Sequence, residues 1–269
     1  MCLIALSVKK ELDWKGKEAY FFTLVANRDE YHDRPTTHLH WWKGDQILAG
    51  KDNLAGGTWL GFSNSGRFAA LTNFKENTSK KYKLSRGLLI TDFLESNKSA
   101  KSYLEGLNGQ DYAGFNLIVG DKNGLFYYCN RSEGIYLLPE GFHALGNLSL
   151  NHGTAKIDSV KMDLEELSLS EFKTQSALDM MKKEYGKLHE KSKEELKPKE
   201  GIEIPYRFIR STIYGTRCTS VCRTLPNGDI EFCEQSYSEE GVEGQRKEFT
   251  FSIKSVSYTH LTLPTILRV

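Results

Sequence analysis

Short apolar runs rich in β-branched and aromatic residues alternate with polar turns along most of this chain, and they set the expected strands. Residues 2–8 and 19–26 form the first such pair, separated by the polar segment 9–18. Residues 47–50, 58–63 and 67–73 read as three more strands, the last two joined as a hairpin through Asn64-Ser65-Gly66. After these the period lengthens. Leu88, Leu89 and Phe93 lie on one helical stripe within 85–95, and 99–107 is a second helix opened by the capping-type residue Ser99. Strand patterns return at 115–120, 124–130, 134–138 and 142–145, with Asp121-Lys122-Asn123-Gly124 as a hairpin turn. Helical spacing reappears at Ile157, Val160, Leu164 and Leu167, and again in a charged segment over about 174–196. A Pro- and Gly-punctuated stretch, 197–210, reads as a surface loop that covers a pocket or simply connects. Strands at 217–225, 228–235 and 246–253 follow. This pattern alone predicts an α+β or layered-sheet protein and leaves the strand order open.

The 269 residues allow one or two domains, and 36 basic against 35 acidic residues leave no charge excess to attract nucleic acid or an anionic membrane. The expected partners are small molecules or proteins. No 18-residue apolar stretch or signal-peptide pattern occurs, so a soluble cytoplasmic chain without an integral membrane segment is expected. Five cysteines, Cys2, Cys129, Cys218, Cys222 and Cys233, contain no Cys-x-x-Cys pair, which fits a reducing compartment. Cys218 and Cys222 share a strand face about 13 Å apart, too far to bond.

Candidate chemistry starts at Cys2. An aminopeptidase removes Met1 when the next residue is small, and the exposed residue would then carry both a thiol and the α-amine that can take its proton, the activation used by N-terminal nucleophiles. A small cysteine packed in a strand is the plainer reading. The second strand runs into Asn27-Arg28-Asp29-Glu30, polar groups able to hold a carboxylate or orient an ammonium, or else an ordinary charged turn. Gly56-Gly57 allows an unusual turn or close backbone approach, where N–H groups could bind an oxyanion, and Asn73 is a second donor at a strand end. His38 and His40 have the spacing to share one face of an extended segment, but no further ligands accompany them, so no metal is expected. Trp41-Trp42 beside them cover a core edge or line a pocket mouth.

Met1-Cys2-Leu3-Ile4, Ala26-Asn27-Arg28-Asp29-Glu30, Gly56-Gly57-Thr58-Trp59-Leu60-Gly61 and Gly66-Arg67-Phe68-Ala69-Ala70-Leu71-Thr72-Asn73 together resemble the NRDE family, also called the transport and Golgi organisation family. Gly114-Phe115-Asn116-Leu117-Ile118, Leu145-Gly146-Asn147 and Tyr214-Gly215-Thr216-Arg217 extend the resemblance to about residues 1–253. The resemblance implies one domain over 1–255 with the four-layer αββα sandwich of N-terminal nucleophile hydrolases. It implies Cys2 as nucleophile flanked by Arg28 and Asp29, Asn147 as the oxyanion asparagine and Arg217 as a second active-site arginine. Asn27, Glu30, Asn73 and Trp59 are the expected binding residues. Arg28 and Asp29 are adjacent, whereas the corresponding pair in the bile-salt hydrolase branch is separated by two residues. Either the backbone turns there, or only one of the two reaches Cys2, with Asn27 or Glu30 as a substitute. The function implied is hydrolysis or acyl transfer at an amide or related bond, with no cofactor. The alternative, from the family's links to haem trafficking and lipid homeostasis, is a non-catalytic carrier of haem or acyl lipid. Residues 256–269 lie beyond the resemblance and read as a non-native tail.

Overall fold

A computed structural model describes residues 2–76, 80, 82–183 and 206–253. The tail 256–269, most of the loop 197–210 and the later part of the helical segment 174–196 lie outside the described residues. Among the described residues, one sheet has six strands, which in order across the sheet are β10 (Gly141–Leu145), β1 (Cys2–Leu12), β2 (Glu18–Tyr31), β11 (Tyr214–Thr224), β12 (Asp229–Tyr237) and β13 (Glu243–Ser252). The second sheet runs in sequence order through seven strands: β3 (Thr36–Trp42), β4 (Ile47–Asp52), β5 (Leu60–Ser63), β6 (Phe68–Asn73), β7 (Phe115–Asp121), β8 (Gly124–Cys129) and β9 (Ile135–Leu137). Every ladder is antiparallel.

Strand alternation divides the apolar residues among three cores. Ile4, Leu6, Leu24, Ala26, Cys222 and Phe232 face Leu48, Phe62, Phe68 and Ile118 between the two sheets. Residues of opposite parity, Leu3, Ala5, Val25 and Val221, turn outward onto α3 (Ala155–Ser168) and α4 (Thr174–Lys182). On the far side, Ile47, Ala49, Ala69 and Leu117 receive α1 (Arg86–Glu95) and α2 (Ala100–Glu105). The order helix, sheet, sheet, helix is a four-layer αββα sandwich. Among the described residues no helix is long and apolar enough to cross a membrane.

The structure departs from the sequence pattern at three places. The first hairpin is longer than its apolar runs, because β1 continues to Leu12 and β2 begins at Glu18, paired residue for residue outside the core. Backbone pairing sustains a strand there without an apolar stripe to reveal it. The other end of β2 also continues, so Asn27-Arg28-Asp29-Glu30 is strand rather than turn. A register shift between Thr37 and His40 then breaks the alternation of β3. His38 therefore turns toward Glu234, while His40 stacks on Trp42, and the expectation that the two histidines share a face fails. Trp42 packs beneath the outer helices and Trp41 against Phe251 in the inner core.

Candidate active site

β1 begins at Cys2, directly opposite Arg28 on β2, and Arg28 is in turn opposite Cys218 on β11. The three residues share the inner face of the sheet. β10 pairs Leu145 with Ile4, so the chain leaves that sheet through Gly146 and Asn147 at the level of Cys2. Cys2 and Arg28 open into a cleft of about 140 Å³ that is also lined by Asp29, Trp59, Asn73 and Arg86. Glu30, Arg34, Asp52 and Thr58 complete much of its rim.

The glycine pair builds one wall. Gly56 adopts a positive φ of 77°, which favours glycine. Gly57 has a different reason: a Cβ there would stand 2.4 Å from the Gly87 carbonyl carbon. That close approach brings the first turn of α1, Ser85 to Gly87, to the cleft beside Thr58.

Arg28 is buried and lies over the Trp59 ring at 4.1 Å, with Nη1 donating to Thr36 Oγ1 at 3.1 Å. Stacking on an aromatic face fixes a guanidinium plane while leaving edge N–H groups to meet an anion or a developing oxyanion. Asp29 has the opposite strand parity, and its Oδ1 accepts from Thr216 Oγ1 at 2.7 Å. It still reaches the cleft, because it lies one residue past the Cys2–Arg28 pair, on the side of the Cys2 backbone nitrogen. A bulge in β11 between Thr216 and Cys218 interrupts the ladder at the same level. The adjacent Arg28 and Asp29 thus both line the cleft without a turn in β2.

Burial raises the pKa of the Cys2 thiol, and the charge of Asp29 adds to this. Arg28 and a hydrogen bond from the Asp29 backbone N–H act in the opposite direction. Burial also raises the Asp29 carboxyl, against the Thr216 hydroxyl and the Lys156 charge. Arg86 is pulled below its ordinary range by burial, countered by the negative charges that Cys2, Glu76 and Glu30 can carry. Asp52 is desolvated too, but the bond from Arg34 at 2.8 Å and the Leu54 and Ala55 N–H groups hold it below the usual carboxylate range.

Asn73 lines the cleft, and Asn147 lies one hydrogen bond behind it, its Nδ2 donating to the Asn73 carbonyl at 2.7 Å. The Asn147 carbonyl accepts from Lys75 N at 2.7 Å, while Asn147 Oδ1 is buried without a partner. Arg217 sits in the β11 bulge on the other side of Arg28. Its Nη1 donates to the carbonyls of Tyr31, His32 and Arg34, fastening the turn that carries Arg34. It lines a second cavity rather than the Cys2 cleft. Asn27 faces away from the cleft altogether. Its Nδ2 donates to the carbonyls of Met181 and Arg207, at 3.2 and 2.7 Å, and its Oδ1 accepts from Thr219 Oγ1 at 2.6 Å. Glu30 lines the cleft and accepts from the Tyr31 N–H. Of the expected residues, Cys2, Arg28, Asp29, Glu30, Trp59 and Asn73 come together, while Asn147, Arg217 and Asn27 support the surroundings.

Arg34, Asp52 and Arg86 were not legible as site residues. Arg86 marks a helix start in the sequence, but nothing local shows that the helix end meets Cys2. Among the described residues no group of three or more His, Cys, Asp or Glu side chains is arranged to hold a metal ion.

A family model described as Transport and Golgi organisation 2 matches residues 1–239. The chain is 32% identical over 261 residues to the mouse Transport and Golgi organization 2 homolog, covering 87% of this chain and 94% of that protein. It is 30% identical over 264 residues to the human Transport and Golgi organization protein 2 homolog, covering 89% and 95%. Among solved structures, a Caenorhabditis elegans ortholog of N-acylethanolamine-hydrolyzing acid amidase aligns with a TM-score of 0.49 at 14% identity, over 83% of this chain and 93% of that one.

Proposed function

The chain belongs to the Transport and Golgi organisation 2 family, and from that premise we propose that it is a cytoplasmic N-terminal cysteine nucleophile hydrolase or acyltransferase acting on an amide or related acyl bond of a small molecule. The observation that carries this reading is the pairing of Cys2 with Arg28 at the head of β1, with Asp29 on the side of the Cys2 backbone nitrogen. Removal of Met1 turns that nitrogen into an α-amine. The amine takes the thiol proton and the thiolate attacks the acyl carbon. Arg28 and the Asn73 side-chain amide meet the charge that develops on the carbonyl oxygen. Asp29 accepts from the α-ammonium and holds it in place. The ammonium then protonates the leaving group, and water, or another acceptor nucleophile, resolves the thioester by the same proton path.

Burial alone leaves the Cys2 thiol protonated, so this chemistry depends on the freed amine and on Arg28. The second reading is non-catalytic carriage of haem or acyl lipid in the same pocket. Against an apolar ligand as sole occupant stands the lining of the cleft by Arg28, Asp29, Arg34, Asp52 and Arg86. The test is intact mass of protein purified from its native host, before and after a broad acylating probe. The expected result is loss of Met1 and one acyl group, mapped to Cys2. Retained Met1 on unlabelled protein that binds a hydrophobic cofactor stoichiometrically establishes the carrier instead.

A further inference from the structure

Behind the wall formed by Arg28 and Trp59 lies a second cavity, of about 340 Å³, within the size range of small-molecule sites. The stacked pair lines both spaces, so the cavity and the Cys2 cleft share one partition. Its floor carries Glu234, on β12, whose side chain is only 2% exposed. One carboxylate oxygen, Oε1, crosses between the sheets to accept from Leu39 N at 2.9 Å, with His38 Nδ1 at 3.6 Å. The other oxygen, Oε2, is buried and has no hydrogen-bond partner. Gly50 lets the Trp59 ring close in beside Oε2, since a Cβ there would lie 2.4 Å from the ring and 3.3 Å from that oxygen.

A buried acceptor without a donor is costly, and a fold keeps one where something else supplies the donor. The Cys218 thiol, its pKa pushed up by burial and by the Glu234 charge, offers only a weak S–H donor, and the cations nearby offer none. Arg28 is engaged by Trp59 and Thr36, and Arg217 gives Nη1 to three backbone carbonyls. Their two positive charges nevertheless line the same cavity. A cationic ligand would meet that repulsion and an anionic ligand would meet Glu234. A neutral group with an N–H donor and a carbonyl acceptor side by side escapes both, giving its N–H to Glu234 and its oxygen to the guanidinium edges. We propose that this cavity is a binding site for a carboxamide group, with Glu234 as its acceptor. The inference does not rest on Cys2 being a nucleophile. If Cys2 is one, the shared partition makes the cavity a subsite for the far end of the same substrate.

The test measures binding alone, by ligand-observed NMR titration of the full chain with hexanamide, hexylammonium and hexanoate. Hexanamide is expected to bind the wild type more tightly than either charged probe. Glu234→Gln keeps the side chain's shape and the Leu39 bond but removes the charge. With Oε1 still accepting from Leu39, Nε2 takes the place of the free oxygen and offers N–H groups instead of an acceptor, so hexanamide is expected to weaken about tenfold or more and hexanoate to be admitted. Gly244→Val leaves Glu234 intact and presses on Ser236 Oγ, 2.9 Å from the added Cβ, so it should also weaken hexanamide. Unchanged hexanamide affinity in both variants would overturn the proposal, as would tighter binding of hexylammonium than hexanamide to the wild type. Because no turnover is read, failure here leaves the reading of Cys2 to its own test.

Discussion

Asn27 and Arg28 are one peptide bond apart in β2 and both are buried, yet they belong to different parts of the molecule. The pleat sends Asn27 outward to the helical layer, where it binds the carbonyls of Met181 and Arg207 and the Thr219 hydroxyl. It sends Arg28 inward, beside Cys2 and over Trp59. One face of the strand is a fastening and the other is a reaction surface. Adjacent motif residues therefore need not share a role, and the two faces make opposite predictions for substitution.

The largest effect on chemistry is expected at Cys2. Cys2→Ala should abolish covalent acylation and turnover while leaving the melting temperature within a few degrees of wild type, because the side chain stands at the edge of the core. Full turnover of an identified substrate by a folded Cys2→Ala protein would refute the mechanism. The pH dependence has a definite sign. The fold raises the thiol pKa mainly through burial, so the protonated form is favoured in the folded state. The associated stability is fully present below the unfolded thiol pKa and is lost as pH rises through the folded one. Chemical denaturation across alkaline pH should show this loss in wild type and a smaller one in Cys2→Ala.

Next in size is Arg28→Ala. Loss of a donor aimed at developing charge costs about 10²–10³-fold in rate in comparable sites, and kcat/KM with an identified substrate should fall by that order. Smaller again is Trp59→Leu, which keeps Arg28 but removes its platform. A cation–π contact of roughly 0.5–2 kcal/mol translates to about a twofold to thirtyfold loss of activity at 1.4 kcal/mol per tenfold. If Trp59→Leu were as damaging as Arg28→Ala, the ring would be touching the substrate itself rather than only holding the guanidinium.

Much of this arrangement could be read from the chain, and the parts that could not share a cause. Gly56 and Gly57 carry their meaning locally, one as a positive-φ turn and one as a close approach, although only the structure supplies Gly87 as the partner. The inner and outer cores follow from alternation in β1, β2 and β11. What stayed hidden depends on residues far apart in sequence. The β11 bulge lies opposite the Arg28–Asp29 step from almost two hundred residues away. At that level Asp29 lies one residue past the head of β1, so two adjacent residues line one cleft, which the strand period alone would forbid. The bulge in β3 likewise defeated the spacing of His38 and His40. The orphaned oxygen of Glu234 gave no sign at all, since a glutamate in a strand is ordinary until its surroundings are known.

The smallest effect on chemistry, and the sharpest test of the two faces, belongs to Asn27. Asn27→Ala removes the donor to two helical-layer carbonyls and the acceptor for Thr219. With net costs of about 1–3 kcal/mol for each buried group left unpaired, partly relieved by water or relaxation, a stability loss of roughly 2–4 kcal/mol is expected in urea denaturation. Yet none of these partners touches the Cys2 cleft, and Arg28 keeps its pairing with Cys2 through the strand backbone. Activity per folded molecule, measured well below the unfolding midpoint, should therefore stay within about twofold of wild type, a change too small to mark a lost transition-state contact. A tenfold fall in kcat/KM with stability intact would reverse the assignment. It would place Asn27 in the reaction, and the division between the two faces of β2 would be lost.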